Sequence, residues 1–204
     1  DAVQDITAYD EIDSNYDITD NAATLLSTTG VDTVVDSGVD TVFVTDSSVD
    51  ADTGAGLNAL ELSLQDVGGT DIEFTVTDTA GAVASELSAT GDELDEANDV
   101  NVVGGTIDVA AADAVQDITA YDEIDSNYDI EDNAATLLST TGVDAVVDSG
   151  VDQVFVTDSS VDADTGAGLN DLEIALEGAG GTDIEFTVTD LSLIHISEPT
   201  RHES

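Results

Sequence analysis

Aspartate and glutamate are the residues of this chain whose chemistry stands out. The sequence holds 47 of them against one Lys or Arg and two His, so its formal net charge is −46 at pH 7. Carboxylate oxygens are ligands for hard cations, and Ca²⁺ takes about 6–8 oxygen ligands. The acidic stretch DSSVDADTG occurs at 46–54 and again at 158–166. Calcium binding is therefore the first chemistry that the residue types suggest.

Two sets of aspartates are candidate metal ligands. The DSSVDADTG stretches contain Asp46, Asp50, Asp52, Asp158, Asp162 and Asp164. The ends of predicted strands carry Asp20, Asp46, Asp78, Asp132 and Asp158. DSSVDADTG departs from the EF-hand pattern, because it lacks Gly at the sixth position and Glu at the twelfth. Ca²⁺ is thus a candidate cofactor at these residues, and the alternative is that they cap helices and face solvent.

The composition argues against catalysis. Residues 1–190 contain no Lys, Arg, His, Pro, Cys, Met or Trp, although Ser and Thr are abundant. A Ser or Thr nucleophile needs a neighbouring His or Lys to activate it, and neither is present in this range. Carboxylate pairs suited to glycoside hydrolysis arise by chance in so acidic a chain, and no pair is distinguished from the others. We therefore expect that the protein is not an enzyme.

The charge also limits the partners. No cationic side chain within residues 1–190 can meet a phosphate, so nucleic acid is excluded as a partner and anionic membranes repel the chain. No run of about 18 apolar residues exists, so membrane insertion is not expected. The chain is nevertheless 41% hydrophobic, which favours a folded protein over a disordered one. The expected partners are inorganic cations, neighbouring repeats and cell-surface ligands.

A long internal repeat organises the sequence. Residues 1–78 return as 113–190, and 69 of these 78 positions are identical. We divide the chain into a first long repeat (1–112), a truncated second repeat (113–190) and a tail (191–204). The tail begins LSLIHISEPTR, which resembles translated read-through of a transposase-type sequencing adapter. We expect it to be non-native, and misassembly of short reads is an open alternative origin for the near-identical copies.

A shorter period of about 28 residues lies within the long repeat. Strand-like pieces recur at 16–20, 42–46, 74–78, 100–104, 128–132, 154–158 and 186–190, each rich in β-branched or aromatic residues. The aromatic residues of these pieces, such as Tyr16, Phe43 and Phe74, are expected in the core. Asp20 and Asp78 precede helix-like stretches and are expected to be their N-caps. We expect Leu57, Leu60 and Leu64, and likewise Val109, Ala112, Val115 and Ile118, to line the buried faces of helices.

Alternating strands and helices predict an α/β fold. Crossover connections of this length predict a parallel sheet, and units too small to bury a core alone predict stacking into a repeat solenoid. The alternative is an all-β fold of two tandem Ig-like sandwiches, because a period of 112 residues suits one such module. The lack of Pro and the long Ala- and Leu-bearing stretches favour the solenoid.

The pieces YDITDNAATLL, FTVTDTAGAVA and YDIEDNAATLL resemble a motif of giant bacterial surface and secreted repeat proteins, described as adhesin-like or S-layer-like. That motif reads aromatic–x–Ile/Val–x–Asp–Thr–Ala–Ala, and Asn21 and Asn133 stand where Thr is usual. The resemblance implies a structural or adhesive segment of a large extracellular surface protein. A calcium-dependent ligand-binding module of a secreted repeat protein is the alternative.

Parallel stacking would bring the strand-end aspartates into register. Neighbouring strands lie about 4.8 Å apart, where two like charges repel by roughly 0.9 kcal/mol in water. We therefore expect the fold to require cations, either Ca²⁺ at defined sites or dense Na⁺ or K⁺. The first alternative suits a secreted protein in millimolar calcium, and the second suits a halophilic protein.

Overall fold

The computed structural model describes residues 16–35, 38–87, 93–122, 126–148 and 150–189, so the predicted tail lies outside it. Strands and helices alternate along the described chain. The strands are β1 (Tyr16–Asp20), β2 (Val39–Val44), β3 (Asp71–Glu73), β4 (Thr75–Asp78), β5 (Asp99–Ile107), β6 (Asn127–Asp132), β7 (Val151–Val156) and β8 (Asp183–Glu185). The helices are α1 (Ala22–Leu25), α2 (Thr28–Val34), α3 (Ala51–Asp66), α4 (Ala80–Glu86), α5 (Val109–Gln116), α6 (Ala134–Leu137), α7 (Thr140–Val146) and α8 (Ala163–Ala179). The predicted α/β class is confirmed.

The strands form two parallel sheets in chain order. The first sheet is β1-β2-β3 and the second is β4-β5-β6-β7-β8. β3 and β4 are two pieces of one extended segment, interrupted at Phe74, so this segment belongs to both sheets. The alternative prediction of all-β Ig-like sandwiches is wrong for the described residues. Such sandwiches pair antiparallel strands, whereas here helices connect parallel ones.

One apolar row per sheet anchors the strands to the helices. In the first sheet Ile18, Val42 and Ile72 are register partners, and in the second sheet Ile107, Ile130, Val154 and Ile184 are. All of these except the half-buried Ile18 are buried, and residues of both sheets belong to one hydrophobic cluster. Burying one such side chain stabilises the fold by about 1.5–3 kcal/mol.

The predicted helix faces are confirmed. Leu57, Leu60 and Leu64 of α3 are buried together. The second predicted face is also buried, with Val109, Ala112 and Val115 on α5 and Ile118 just beyond its end. In both helices the apolar positions recur every three or four residues, so they lie on the side that packs against the strands.

The prediction that the strand aromatics are core residues holds only in part. Phe74 is buried and Tyr16 is half-buried, but Phe43 is 36% exposed. Successive side chains of a strand point to opposite faces, and Val42 already occupies the inner face of β2. Phe43 therefore points outward.

β5 connects the first long repeat to the second. Its first half pairs with β4 and its second half pairs with β6, with a register shift between Val103 and Thr106. Gly104 and Gly105 lie at this shift with φ angles of +75° and +94°. Glycine adopts this region without the steric cost that a side chain would add, so the pair allows one strand to serve two neighbours.

Candidate functional site at the strand ends

The longer helices begin with an aspartate that caps its own helix. The backbone N–H of Thr53 donates to Asp50 Oδ1 at 2.9 Å in α3, and that of Thr165 donates to Asp162 Oδ1 at 2.8 Å in α8. In α5, Asp108 holds the same position and accepts from the N–H of Ala111 at 2.8 Å. These bonds satisfy donors that the first turn of a helix leaves open.

The prediction that Asp20 and Asp78 are N-caps is wrong by one residue. Asn21 is the N-cap of α1, and Thr79 is the N-cap of α4. The two aspartates are still the last residues of β1 and β4, where their backbones take part in strand pairing. Each helix therefore begins only after the aspartate.

Four of the five strand-end aspartates instead cap helices of the preceding unit. The first helical N–H of α1, from Ala22, donates to Asp46 Oδ2 at 2.8 Å. In the same way Ala51 of α3 donates to Asp78 Oδ2 at 3.0 Å. Each carboxylate thus extends from the end of its own strand and accepts a hydrogen bond from the backbone of an earlier helix.

Two aspartates of the second long repeat continue this arrangement. Val109 at the start of α5 donates to Asp132 Oδ2 at 3.3 Å, and Ala134 at the start of α6 donates to Asp158 Oδ2 at 2.7 Å. The four donor–acceptor pairs are 24, 27, 23 and 24 residues apart in the chain. We call Asp46, Asp78, Asp132 and Asp158 the inter-unit caps. Their negative charge also lies at the positive end of a helix dipole.

Two of the inter-unit caps use both carboxylate oxygens. Asp78 Oδ1 accepts from the N–H of Thr79 at 2.7 Å, and Asp132 Oδ1 accepts from the N–H of Asn133 at 2.7 Å. Asp20 Oδ1 accepts likewise from the N–H of Asn21 at 2.8 Å. Only a carboxylate offers two acceptor oxygens, because one side of an amide is a donor. This explains why aspartate rather than asparagine ends β4 and β6.

The predicted metal ligands come together only in small groups. Asp46 and Asp50 line one surface depression of about 350 Å³, and Asp158 lines another of about 490 Å³. Asp52 and Asp164 lie exposed in the first turns of α3 and α8. Over residues 16–189, apart from the undescribed gaps, no three His, Cys, Asp or Glu side chains form a group that could hold a metal ion. Calcium binding therefore stays a prediction, while the hydrogen bonds give most of these carboxylates a capping role.

Capping also sets the charge state of two of these residues. Hydrogen bonds from the side chain and backbone of Thr53 hold the pKa of Asp50 below its ordinary value. Backbone and side-chain bonds from Thr165 lower the pKa of Asp162. Both carboxylates are therefore ionised at neutral pH, as a helix N-terminus favours.

The expected register of strand-end aspartates is wrong. The register partner of Asp20 is Val44, and Asp78 and Asp132 likewise face Val102 and Val156. Elsewhere in the described sheets acidic residues face Thr, Phe or Gln on the neighbouring strand, and no paired position sets acid against acid. The next acid in a row is thus two strand spacings away, for example Glu131 and Glu185 on either side of Phe155.

A buried polar group on α3 was missed by sequence reasoning. Glu61 is 2% exposed and Asn58 is also buried. Gln65 Nε2 donates to Glu61 Oε1 at 3.1 Å and to Glu96 Oε2 at 3.3 Å, and the backbone N–H of Glu96 donates to Asn58 Oδ1 at 2.9 Å. The spacing in the sequence does indicate burial of this residue, because position 61 follows Leu57 by four residues and precedes Leu64 by three. It therefore lies on the apolar face.

A second buried polar group lies within the second long repeat. Gln116 Nε2 donates to the hydroxyl of Tyr128 at 2.7 Å and to the carbonyl of Ala145 at 2.9 Å. The hydroxyl of Tyr121 donates to Asp148 Oδ1 at 3.2 Å. Burial raises the pKa of Tyr128 to about 12, so its hydroxyl is neutral and fixed in this network. These bonds hold α5 against β6 and α7.

The fold and the strand ends together define a class. The chain is an acidic α/β protein of parallel strands in which carboxylates of one unit cap helices of the unit before it. Comparison with protein families, curated proteins and solved structures gives no match. None of the described helices combines the length and apolar character needed to cross a membrane.

Proposed function

We propose that this chain is a structural and adhesive repeat segment of a large extracellular surface protein, without catalytic activity. In this proposal the strand-helix units stack as a solenoid, and cations stabilise the stack. The observation that carries the proposal is the inter-unit cap, because it makes four of the units depend on their successors. A chain of such units gains length by adding copies, as a stalk or adhesive surface requires.

The exposure of equivalent residues supports stacking. Val76 is fully buried, because β5 pairs with β4 and its Val100 lies opposite. Val188 occupies the same place in the second repeat and is 48% exposed. The surface that is open around Val188 is thus the surface that a following unit covers around Val76. The resemblance to adhesin-like repeats supports the extracellular location.

The spacing of acids in the sheets favours general screening by cations. Within a register row, two strand spacings separate acids by roughly 9.6 Å, where like charges repel by about 0.4 kcal/mol in water instead of about 0.9 at one spacing. The Debye length is about 8 Å at physiological ionic strength. Mobile ions therefore screen much of the repulsion between strands. This favours a plain scaffold over a calcium-dependent binding module.

Salt dependence tests the proposal. We expect the thermal midpoint to rise steadily as NaCl increases from roughly 10 mM to 1 M, because the Debye length falls from about 30 Å to 3 Å. Circular dichroism measures this midpoint in EDTA. A midpoint that does not respond to salt would contradict stabilisation by cations.

Calcium titration separates the two functions. For a scaffold, Ca²⁺ and Mg²⁺ at equal ionic strength raise the midpoint by the same amount, and calorimetry shows no saturable binding. Saturable, stoichiometric binding of Ca²⁺ alone would favour the calcium-dependent ligand-binding module. Long-read sequencing of the full gene gives the number of repeats and shows whether a secretion signal is encoded, which checks the extracellular assignment.

A further inference from the structure

We propose that Glu61 is a proton-binding site, in which the buried carboxyl is held as the neutral acid and shares its proton with Asp71. The packing of α3 against β3 and the turn before β5 then depends on a bound proton. This inference does not rest on the function proposed above, since it concerns the interior of the first long repeat.

The geometry leaves one oxygen of Glu61 without a partner. Oε1 accepts from Gln65, but Oε2 is buried and no hydrogen bond reaches it. Asp71 lies within hydrogen-bonding reach of Glu61. Two carboxylates cannot bond to each other, because both are acceptors. One proton on Oε2 supplies the missing donor and satisfies both groups.

No positive side chain is available to neutralise Glu61. Residues 1–190 contain no Lys, Arg or His. The charged groups that act on Glu61 are Asp71 of β3 and Glu96 of the turn before β5, and both are acidic. The other helices packed against α3 carry Asp32 on α2 and Glu86 on α4, which are also acidic. An isolated buried carboxylate is strongly disfavoured, so the group takes up a proton instead.

The pKa of Glu61 agrees with this geometry. Burial, followed by the neighbouring side chain of Asp71, raises it to about 8, whereas the nearby backbone of Ile72 acts in the opposite direction. A metal ion would be the other way to neutralise the site. A proton is favoured, because Glu61, Asp71 and Glu96 do not form a group that could hold a metal ion.

A raised pKa makes stability depend on pH in one direction. Between the ordinary Glu value of 4.5 and about 8, the folded state binds a proton that the unfolded state has released. The stabilisation is fully present below pH 4.5 and is lost as pH rises through 8. Glu61 therefore destabilises the fold in alkaline solution.

Glu61→Gln tests the site, because the amide imitates the neutral acid. We expect the folded-to-unfolded ratio of the wild type to fall at least about tenfold relative to Glu61→Gln between pH 5 and pH 9. Urea unfolding in high salt measures both ratios. Glu173→Gln is the matched control, because Glu173 lies beside Asp183 at the equivalent position but is only partly buried. Burial and Asp183 also raise the pKa of Glu173, but its greater exposure means that Glu173→Gln should change the pH dependence of stability much less than Glu61→Gln does.

Carbon-13 NMR of the Glu61 carboxyl in the wild-type chain gives a direct readout that needs no variant. Titration of the Glu61 carboxyl above pH 7 supports the proposal. Titration near its ordinary value, or equal pH dependence of wild type and Glu61→Gln, would overturn it. A saturable shift of the Glu61 resonance in millimolar CaCl₂ would also overturn it, because the site would then bind metal.

Discussion

Replacing the four inter-unit caps Asp46, Asp78, Asp132 and Asp158 with Ala is expected to lower the free energy of unfolding by about 2–8 kcal/mol. Each substitution removes the acceptor for the first N–H of a helix, and loss of one N-terminal cap costs about 0.5–2 kcal/mol. A typical domain is stable by about 5–15 kcal/mol. Urea unfolding followed by circular dichroism measures the loss, and the variant should approach an unfolded state.

Asparagine substitutions separate capping from charge. Asp78→Asn is expected to be destabilising, because Asp78 accepts with both oxygens and the amide offers only one. Asp46→Asn is expected to change stability little, since the single bond from Ala22 needs one oxygen. Asp52→Ala is the control for removing an exposed charge from the same helix start.

An unchanged stability of the quadruple alanine variant would contradict this prediction. The four alanines also remove four negative charges from a chain of net charge −46. If the quadruple variant were as stable as the wild type in low salt, relief of repulsion would outweigh the lost hydrogen bonds. The inter-unit caps would then not be what holds neighbouring units together.

Gly142→Ala is expected to destabilise the protein by about 1–3 kcal/mol or more, because a methyl group has no room there. A Cβ at Gly142 would collide with the carbonyl oxygen of Thr136 and lie 2.6 Å from that of Leu137. Both are backbone atoms at the corner between α6 and α7, so no side-chain rotation relieves the contact. Thermal unfolding of the variant measures the effect.

Two further glycines provide the matched comparison. Gly30 holds the equivalent place in the first repeat, where an added Cβ would collide with the equivalent backbone atoms of Thr24 and Leu25. Gly30→Ala should therefore be about equally destabilising. Gly81 lies in α4 with nothing within 4 Å of an added Cβ. Gly81→Ala should stabilise the helix by up to about 0.5–1 kcal/mol. A neutral Gly142→Ala would show that the corner between α6 and α7 opens easily.

The strand-helix alternation could be predicted because it depends on local patterns. The spacing of Leu57, Leu60 and Leu64 specifies one helical face whatever the rest of the chain does. Phe43 shows the limit of prediction from local patterns, since residue type alone did not reveal which side of β2 points inward. The side was decided by Val42, which pairs with Ile18 and Ile72 in the sheet.

The candidate site was harder to predict, because a cap and a metal ligand look alike in sequence. Both roles use an aspartate oxygen at the end of a strand. The choice depends on which donor lies opposite, and that donor belongs to a residue such as Ala51, which carries no polar side chain. Glu61 was missed for a related reason, since Glu96, which lies 35 positions later in the chain, takes part in enclosing it.

The inter-unit caps have a consequence for how such a chain forms during translation. The first N–H of each capped helix bonds to an acceptor that is synthesised 23 to 27 residues later. A helix start is therefore completed only once the following strand has left the ribosome. Gene duplication can lengthen the polypeptide without changing the contacts between copies. Every added copy brings the carboxylate that the copy before it lacks.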